Sequence, residues 1–264
     1  MINFERKDTY GLEDLVEIVR ILREPGGCPW DQEQDHHSIR RNLLEEAYEA
    51  AEAIDEESPE HLKEELGDVL LQVVLHARME QEAGRFDLQS VADGICKKLI
   101  YRHPHVFGNV AVSGSDEVLV NWEELKRKEK HQESAADSVD AVARSLPGLW
   151  RAEKVQKKAA KAGFDWPDIQ GALEKLREEH QELEEAIQSG TNVSEELGDL
   201  LFAAVNVARY VKTDPEEALS QACDKFARRF RAVEEAAQAQ ARRLEDMTLA
   251  EMDALWDKVK AQEA

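Results

Sequence analysis

Glu64-Glu65-Leu66-Gly67-Asp68-Val69-Leu70 recurs later in the chain as Glu195-Glu196-Leu197-Gly198-Asp199-Leu200-Leu201. Reading outward, Leu44-Glu45-Glu46-Ala47-Tyr48-Glu49-Ala50-Ala51-Glu52-Ala53-Ile54 is answered by Arg177-Glu178-Glu179-His180-Gln181-Glu182-Leu183-Glu184-Glu185-Ala186-Ile187, and Lys98 and Arg102 by Lys225 and Arg229. The order is kept and only short indels separate the copies, so the sequence predicts two tandem domains. We expect them at 1–132 and 149–264, joined by a linker at 133–148 where the pattern lapses into Ser-Ala-Ala-Asp-Ser and closes on Pro147-Gly148.

The copies read as helices throughout. Ser58-Pro59-Glu60 has the form of an N-cap followed by proline, opening a helix to about Glu82. Thr213-Asp214-Pro215 opens another to about Arg243, and Leu249, Met252, Leu255, Trp256 and Val259 mark a closing amphipathic helix. His103-Pro104-His105 reads as a turn. Strand-like alternation is scarce, so the expected fold is all-α.

Composition sets further bounds. The 264 residues are 42% hydrophobic and 34% charged, with a formal charge of −22. That charge argues against a nucleic-acid polymer or an anionic membrane as partner. Cys28, Cys96 and Cys223 are isolated, as expected in a reducing compartment. The N-terminus lacks an apolar signal core and no apolar run is long enough to span a bilayer, so a cytoplasmic protein is expected.

The chemistry should sit on the repeated acids. Residues three apart share a helix face, so Glu46 with Glu49 and Glu65 with Asp68 pair on successive helices of one hairpin. An antiparallel hairpin would bring the four carboxylates together, and Glu179, Glu182, Glu196 and Asp199 repeat the arrangement. Converging anions repel unless hard divalent cations occupy the site, and Mg²⁺ suits oxygen ligands. With 56 acidic residues, a single EExxE is unremarkable on a solvated face. The ordered repetition raises it above that, as does the placement of Asp68 and Asp199, expected to open the most apolar helices; a helix-dipole role there is the bland alternative.

Lys225, Arg228 and Arg229 stand at i, i+3 and i+4, on one face, suited to a triphosphate or to salt bridges with the many acids. Trp30, Trp150, Trp166 and Trp256 are candidates for base stacking or for the core. Glu33-x-x-His36 has no matching partner for a di-iron site, and neither a P-loop nor GxSxG occurs.

These residues resemble the MazG family of nucleoside triphosphate pyrophosphohydrolases over nearly the whole chain. The likeness rests on EExxE then ExxD in both copies, Cys28-Pro29-Trp30-Asp31-Gln32, Arg102-His103-Pro104-His105-Val106-Phe107 and Ser145-Leu146-Pro147. Gly163-Phe164-Asp165-Trp166-Pro167 and Lys225-Phe226-Ala227-Arg228-Arg229-Phe230 complete it. It implies an all-α homodimer cleaving nucleoside triphosphates, with broad tolerance of base and sugar, to monophosphate and pyrophosphate in a Mg²⁺-dependent reaction. By the same resemblance Glu179, Glu182, Glu196 and Asp199 hold metal, with Glu46, Glu49, Glu65 and Asp68 matching them in the first copy. Lys225, Arg228 and Arg229 bind the triphosphate, while Lys175 and Trp256 stand at substrate-contact positions. The hypothesised mechanism is in-line attack of water on the α-phosphorus, with Glu178 or Glu179 taking the proton. Arg228 is answered by Tyr101 and Asn206 by Leu75, so the C-terminal copy is expected to carry most of the activity. A non-catalytic NTP·Mg sensor and a structural acidic adaptor are the rival readings.

Overall fold

A computed structural model describes residues 4–129 and 134–263, which contain thirteen α-helices, one 3₁₀ turn and no strand. The all-α expectation therefore holds. Met1–Asn3, at the head of the segment read for a signal core, lie outside the described residues, as does the 132/133 edge of the expected linker. The chain divides into two compact units, Met1–Lys126 and Arg127–Ala264.

The first unit carries α1 (Leu12–Arg23), α2 (Pro29–Glu33), α3 (Arg40–Asp55), α4 (Pro59–Glu82), α5 (Leu88–Arg102) and α6 (Pro104–Phe107); α7 (Ser115–Glu129) runs across the division. Its core is Val19 of α1 and Ile39 packed on Val74, Leu75 and Met79 of α4. A polar knot lies beside that core: His36 Nε2 sits 2.5 Å from the Glu80 carboxylate and His36 Nδ1 2.7 Å from His76 Nδ1, while Arg85 donates to Glu80 at 2.7 Å.

The second unit carries α8 (Ala135–Asp140), α9 (Gly148–Lys161), α10 (Ile169–Ser189), α11 (Val193–Tyr210), α12 (Pro215–Gln238) and, after a 3₁₀ turn at Leu244–Asp246, α13 (Leu249–Glu263). Its apolar cluster joins Val233 and Ala237 of α12 to Leu255 and Val259 of α13. Helix α8 falls inside the stretch expected to link the copies and packs on α9.

Local sequence sets the helix starts. Ser58 Oγ accepts from the His61 N–H at the head of α4, and Asp214 accepts from the Glu216 and Glu217 N–H groups at the head of α12, each followed by proline. Three expectations need correction. Helix α12 stops at Gln238 and not near Arg243, because Ala241 turns left-handed (φ 54°) and the Arg242 N–H donates back to the Ala237 carbonyl. His103-Pro104-His105 leads into one helical turn, α6. Asp68 and Asp199 lie well inside α4 and α11 and do not open them, so both sit beyond the first turn, where the helix dipole acts.

Candidate active site

Each acidic motif pair rides on an αα-hairpin closed by three residues. Glu56-Glu57-Ser58 join α3 to α4, and Gly190-Thr191-Asn192 join α10 to α11. Left-handed residues make these turns: Glu57 (φ 52°), Gly190 (φ 70°) and Asn192 (φ 56°). Gly190 and Asn192 are the residue types that tolerate this conformation, and such loops force antiparallel packing.

Carboxylates from the two helices then meet. Oxygens of Glu179, Glu196 and Asp199 lie within 4.8 Å of one another, and so do those of Glu46, Glu49 and Glu65. The remaining expected members stand at the margin. Asp68 acts on Glu46, whose carboxyl is raised above its usual pKa by burial and then by the charges of Asp68 and Glu49. The exposed Glu182 is raised in the same way by desolvation and by its neighbour Glu179. Two carboxylates that share a proton or repel one another are what a divalent cation relieves. The all-oxygen donor set on each hairpin fits a hard ion such as Mg²⁺.

The copies neutralise their buried acids differently. Glu179 is only 5% exposed, and Lys175, one turn earlier on α10, places Nζ 2.6 Å from it and 2.8 Å from Glu178. Those two carboxylates, Glu178 first, push the Lys175 ammonium above its ordinary pKa. In the first copy the buried acid is Glu65, on the second helix of the hairpin, and His61 Nε2 stands 3.2 Å away.

The basic cluster of α12 faces α13. Arg229 donates to Glu263 at 2.7 Å and Arg228 lies 3.5 Å from the same carboxylate, so both guanidiniums are held there and not by the acids of α10 and α11. Lys225 is exposed, with no ion pair among the described residues. Trp256 is half-buried in the α12–α13 cluster, 5.2 Å from the Phe226 ring, with Arg229 5.9 Å from its centroid. The sequence reading overlooked the counterpart: Arg102, which answers to Arg229, lies 5.3 Å from the ring of Trp122. The signal was available in the repeat itself, as a tryptophan following the aligned arginine in both copies.

The other tryptophans divide between roles. Trp150 donates to Asp214 at 3.0 Å, Trp30 is exposed, and the Trp166 ring covers Gly171 so closely that a Cβ there would meet it at 2.8 Å. Where the copies diverge, Tyr101 is exposed and Leu75 is buried in the first unit's core.

The MazG nucleotide pyrophosphohydrolase domain matches this chain twice, at residues 34–107 and 168–233, and so covers both acidic hairpins. The chain belongs to the MazG family. Its similarity to the nucleoside triphosphate pyrophosphohydrolase of Escherichia coli K12 is 43% identity over 257 residues, 96% of this chain and 98% of that one. It is 42% identical over 248 residues to the nucleoside triphosphate pyrophosphohydrolase/pyrophosphatase MazG of Thermotoga maritima, across 94% of this chain and 95% of the relative. The uncharacterized protein YabN of Bacillus subtilis is 48% identical over 249 residues, which are 51% of its length. Both MazG domains of this chain keep the acids, and Lys175 is present in the second alone; the aligned position of the first is Asn42.

Proposed function

We propose that this protein hydrolyses nucleoside triphosphates and deoxynucleoside triphosphates to the monophosphate and pyrophosphate with Mg²⁺, and that the C-terminal copy carries the turnover. The observation that carries this is the convergence of Glu179, Glu196 and Asp199 within 4.8 Å across one hairpin, beside a lysine. The names of the Escherichia coli and Thermotoga maritima relatives support the reaction class.

Glu179, Glu196 and Asp199, with Glu182 at the margin, would hold the magnesium. When bound, it supplies charge neutralisation on the departing pyrophosphate and acidification of the attacking water. Glu179 is committed to the cluster, which leaves the exposed Glu178, one residue earlier, to take the proton. Lys175 positions both carboxylates. Lys225, Arg228 and Arg229 bind the triphosphate once Glu263 releases the two arginines, and Trp256 contacts the substrate beside them.

A homodimer fits the exposed apolar stripe Val193, Leu197 and Leu201 of α11, spaced one turn apart. No helix among the described residues is long and apolar enough to cross a membrane, and the free cysteines suit the cytoplasm. Clearance of aberrant nucleotides over a broad range of bases is the role we assign.

Product analysis with a panel of NTPs and dNTPs tests this. Monophosphate and pyrophosphate, lost on chelation and in Glu179→Ala and Glu182→Ala, are expected. Diphosphate and phosphate would overturn the reaction. Tight Mg²⁺-dependent binding without turnover would favour a nucleotide sensor.

A further inference from the structure

One cluster of titratable groups in the first unit takes no part in the hydrolytic chemistry. His36, in the turn that leads into α3, meets His76 and Glu80, which stand one turn apart on α4. The two imidazoles are 10° from parallel with centroids 5.0 Å apart. Their Nδ1 atoms are 2.7 Å apart, too close for one ring to lie over the other, so they meet edge to edge.

A contact between two Nδ1 atoms holds only when one carries a proton and the other does not. Glu80 decides which. Its carboxylate accepts from Arg85 at 2.7 Å and stands 2.5 Å from His36 Nε2, so it takes the Nε2 proton of His36. His36 Nδ1 is then the acceptor and His76 Nδ1 the donor. His76 Nε2 is left as a bare nitrogen, buried without a hydrogen-bond partner. A further proton has no good place in this arrangement. On His76 Nε2 it is buried with no acceptor, and on His36 Nδ1 it faces the N–H of His76. Burial first, and then the neighbouring His36, accordingly hold the His76 imidazole below its ordinary pKa.

The charged groups on the surrounding elements are engaged elsewhere or open to solvent. On α1, Arg20 pairs with Glu17, and Arg23 pairs with Glu82 and holds the carbonyls of Asp31 and Gln34. On α4, Arg78 pairs with Glu82. Asp35 accepts from the His37 and Ser38 N–H groups, while His37 and Arg40 are exposed. Arg41 pairs with Glu45 on α3, and Lys97 with Asp93 on α5. The second copy has no such knot: at the offsets that align the acids, His36, His76 and Glu80 are answered by Ile169, Val207 and Val211.

We propose that His36, His76 and Glu80 form a proton-operated clasp, which holds segment 34–39 on α4 while the histidine pair is neutral and releases it when the pair is protonated. What it releases is the start of α3, the helix that carries Glu46 and Glu49. The His36 side chain is 39% exposed, so protons reach the pair from solvent. The sign follows from His76: a folded pKa below the ordinary 6.5 contributes stability above that value, and the contribution is lost as pH falls beneath it.

Amide hydrogen exchange of the full chain, expressed as protection factors at about pH 7.5 and about pH 5.5, on either side of the ordinary histidine value, tests this. The reporters are the N–H groups of Ile39, Arg40 and Leu43, which donate to the carbonyls of Asp35, His37 and Ile39. Their protection should fall about tenfold per pH unit below the histidine value, as one proton taken up per opening requires. The first turn of α10, and Val74 to Met79 of α4, should stay protected. His76→Asn keeps a donor at the Nδ1 position without titrating, and should abolish the fall. Wild-type protection unchanged at the lower pH, or a fall shared by α10 or by Val74 to Met79, overturns the proposal even if the variant folds poorly. A fall of wild-type size in a well-folded His76→Asn overturns it as well.

Discussion

The Lys175 ammonium lies 2.6 Å from the buried Glu179 carboxylate, and the aligned position in the other copy is Asn42, which has no charge to offer. The lysine is thus the resident counter-charge of the C-terminal acid cluster. Lys175→Met should lower the melting temperature in EDTA, since it leaves a buried carboxylate facing its neighbours uncompensated. Added Mg²⁺ should restore most of the loss. An equal loss with and without the ion would assign the lysine to packing.

Glu182→Ala should lower kcat by about 10²–10⁴-fold, the scale of a lost catalytic or metal-holding group, while Glu49→Ala leaves turnover near wild type. Steady-state rates on dNTPs read both. Intact turnover in the first variant with abolished turnover in the second would move the activity to the N-terminal copy.

Glu263 holds Arg228 and Arg229, and under the proposed function it would compete with the triphosphate for them. Glu263→Gln should lower KM about two- to fivefold with kcat unchanged, the range of an exposed ion pair. A raised KM would mean the carboxylate orients the arginines for substrate.

Arg85, first, and then His36 hold Glu80 at about 2, against the opposing effect of burial. Arg242 and the Thr248 N–H and hydroxyl hold Glu251 at about 2 as well. A depressed folded pKa contributes stability above the ordinary value of 4.5, and the contribution is lost as pH falls from there towards 2. Thermal melts should therefore decline across that window, and Glu80→Gln and Glu251→Gln should each flatten the decline. A slope unchanged in both variants would place the acid sensitivity elsewhere.

The hairpins were legible because their determinants are local. Ser58-Pro59 and Asp214-Pro215 announce two helix starts, and three-residue spacing puts each acid pair on one face. Spacing names a face and not its neighbour. Hence the sequence could not show that Arg228 and Arg229 turn to Glu263, or that Gln156 donates to a Phe202 carbonyl 46 residues away. The end of α12 escaped notice because an alanine, Ala241, takes the left-handed turn that glycine usually signals. Trp122 was not legible because Arg102 stands in the sequence only as the counterpart of Arg229, and nothing local ties it to a ring twenty residues on.

The two hairpins also bear on how the molecule comes into being. Three residues close the gap between α10 and α11, and Glu179 and Glu196 face each other across them. Short closures cost little entropy and contacts this local form fast. The convergence of the acids is thus a property of some forty consecutive residues on the scale of one αα-hairpin, able to draw together early in synthesis. A piece that carries its own site can be copied whole, and one copy can then drift towards scaffold while the other keeps the work.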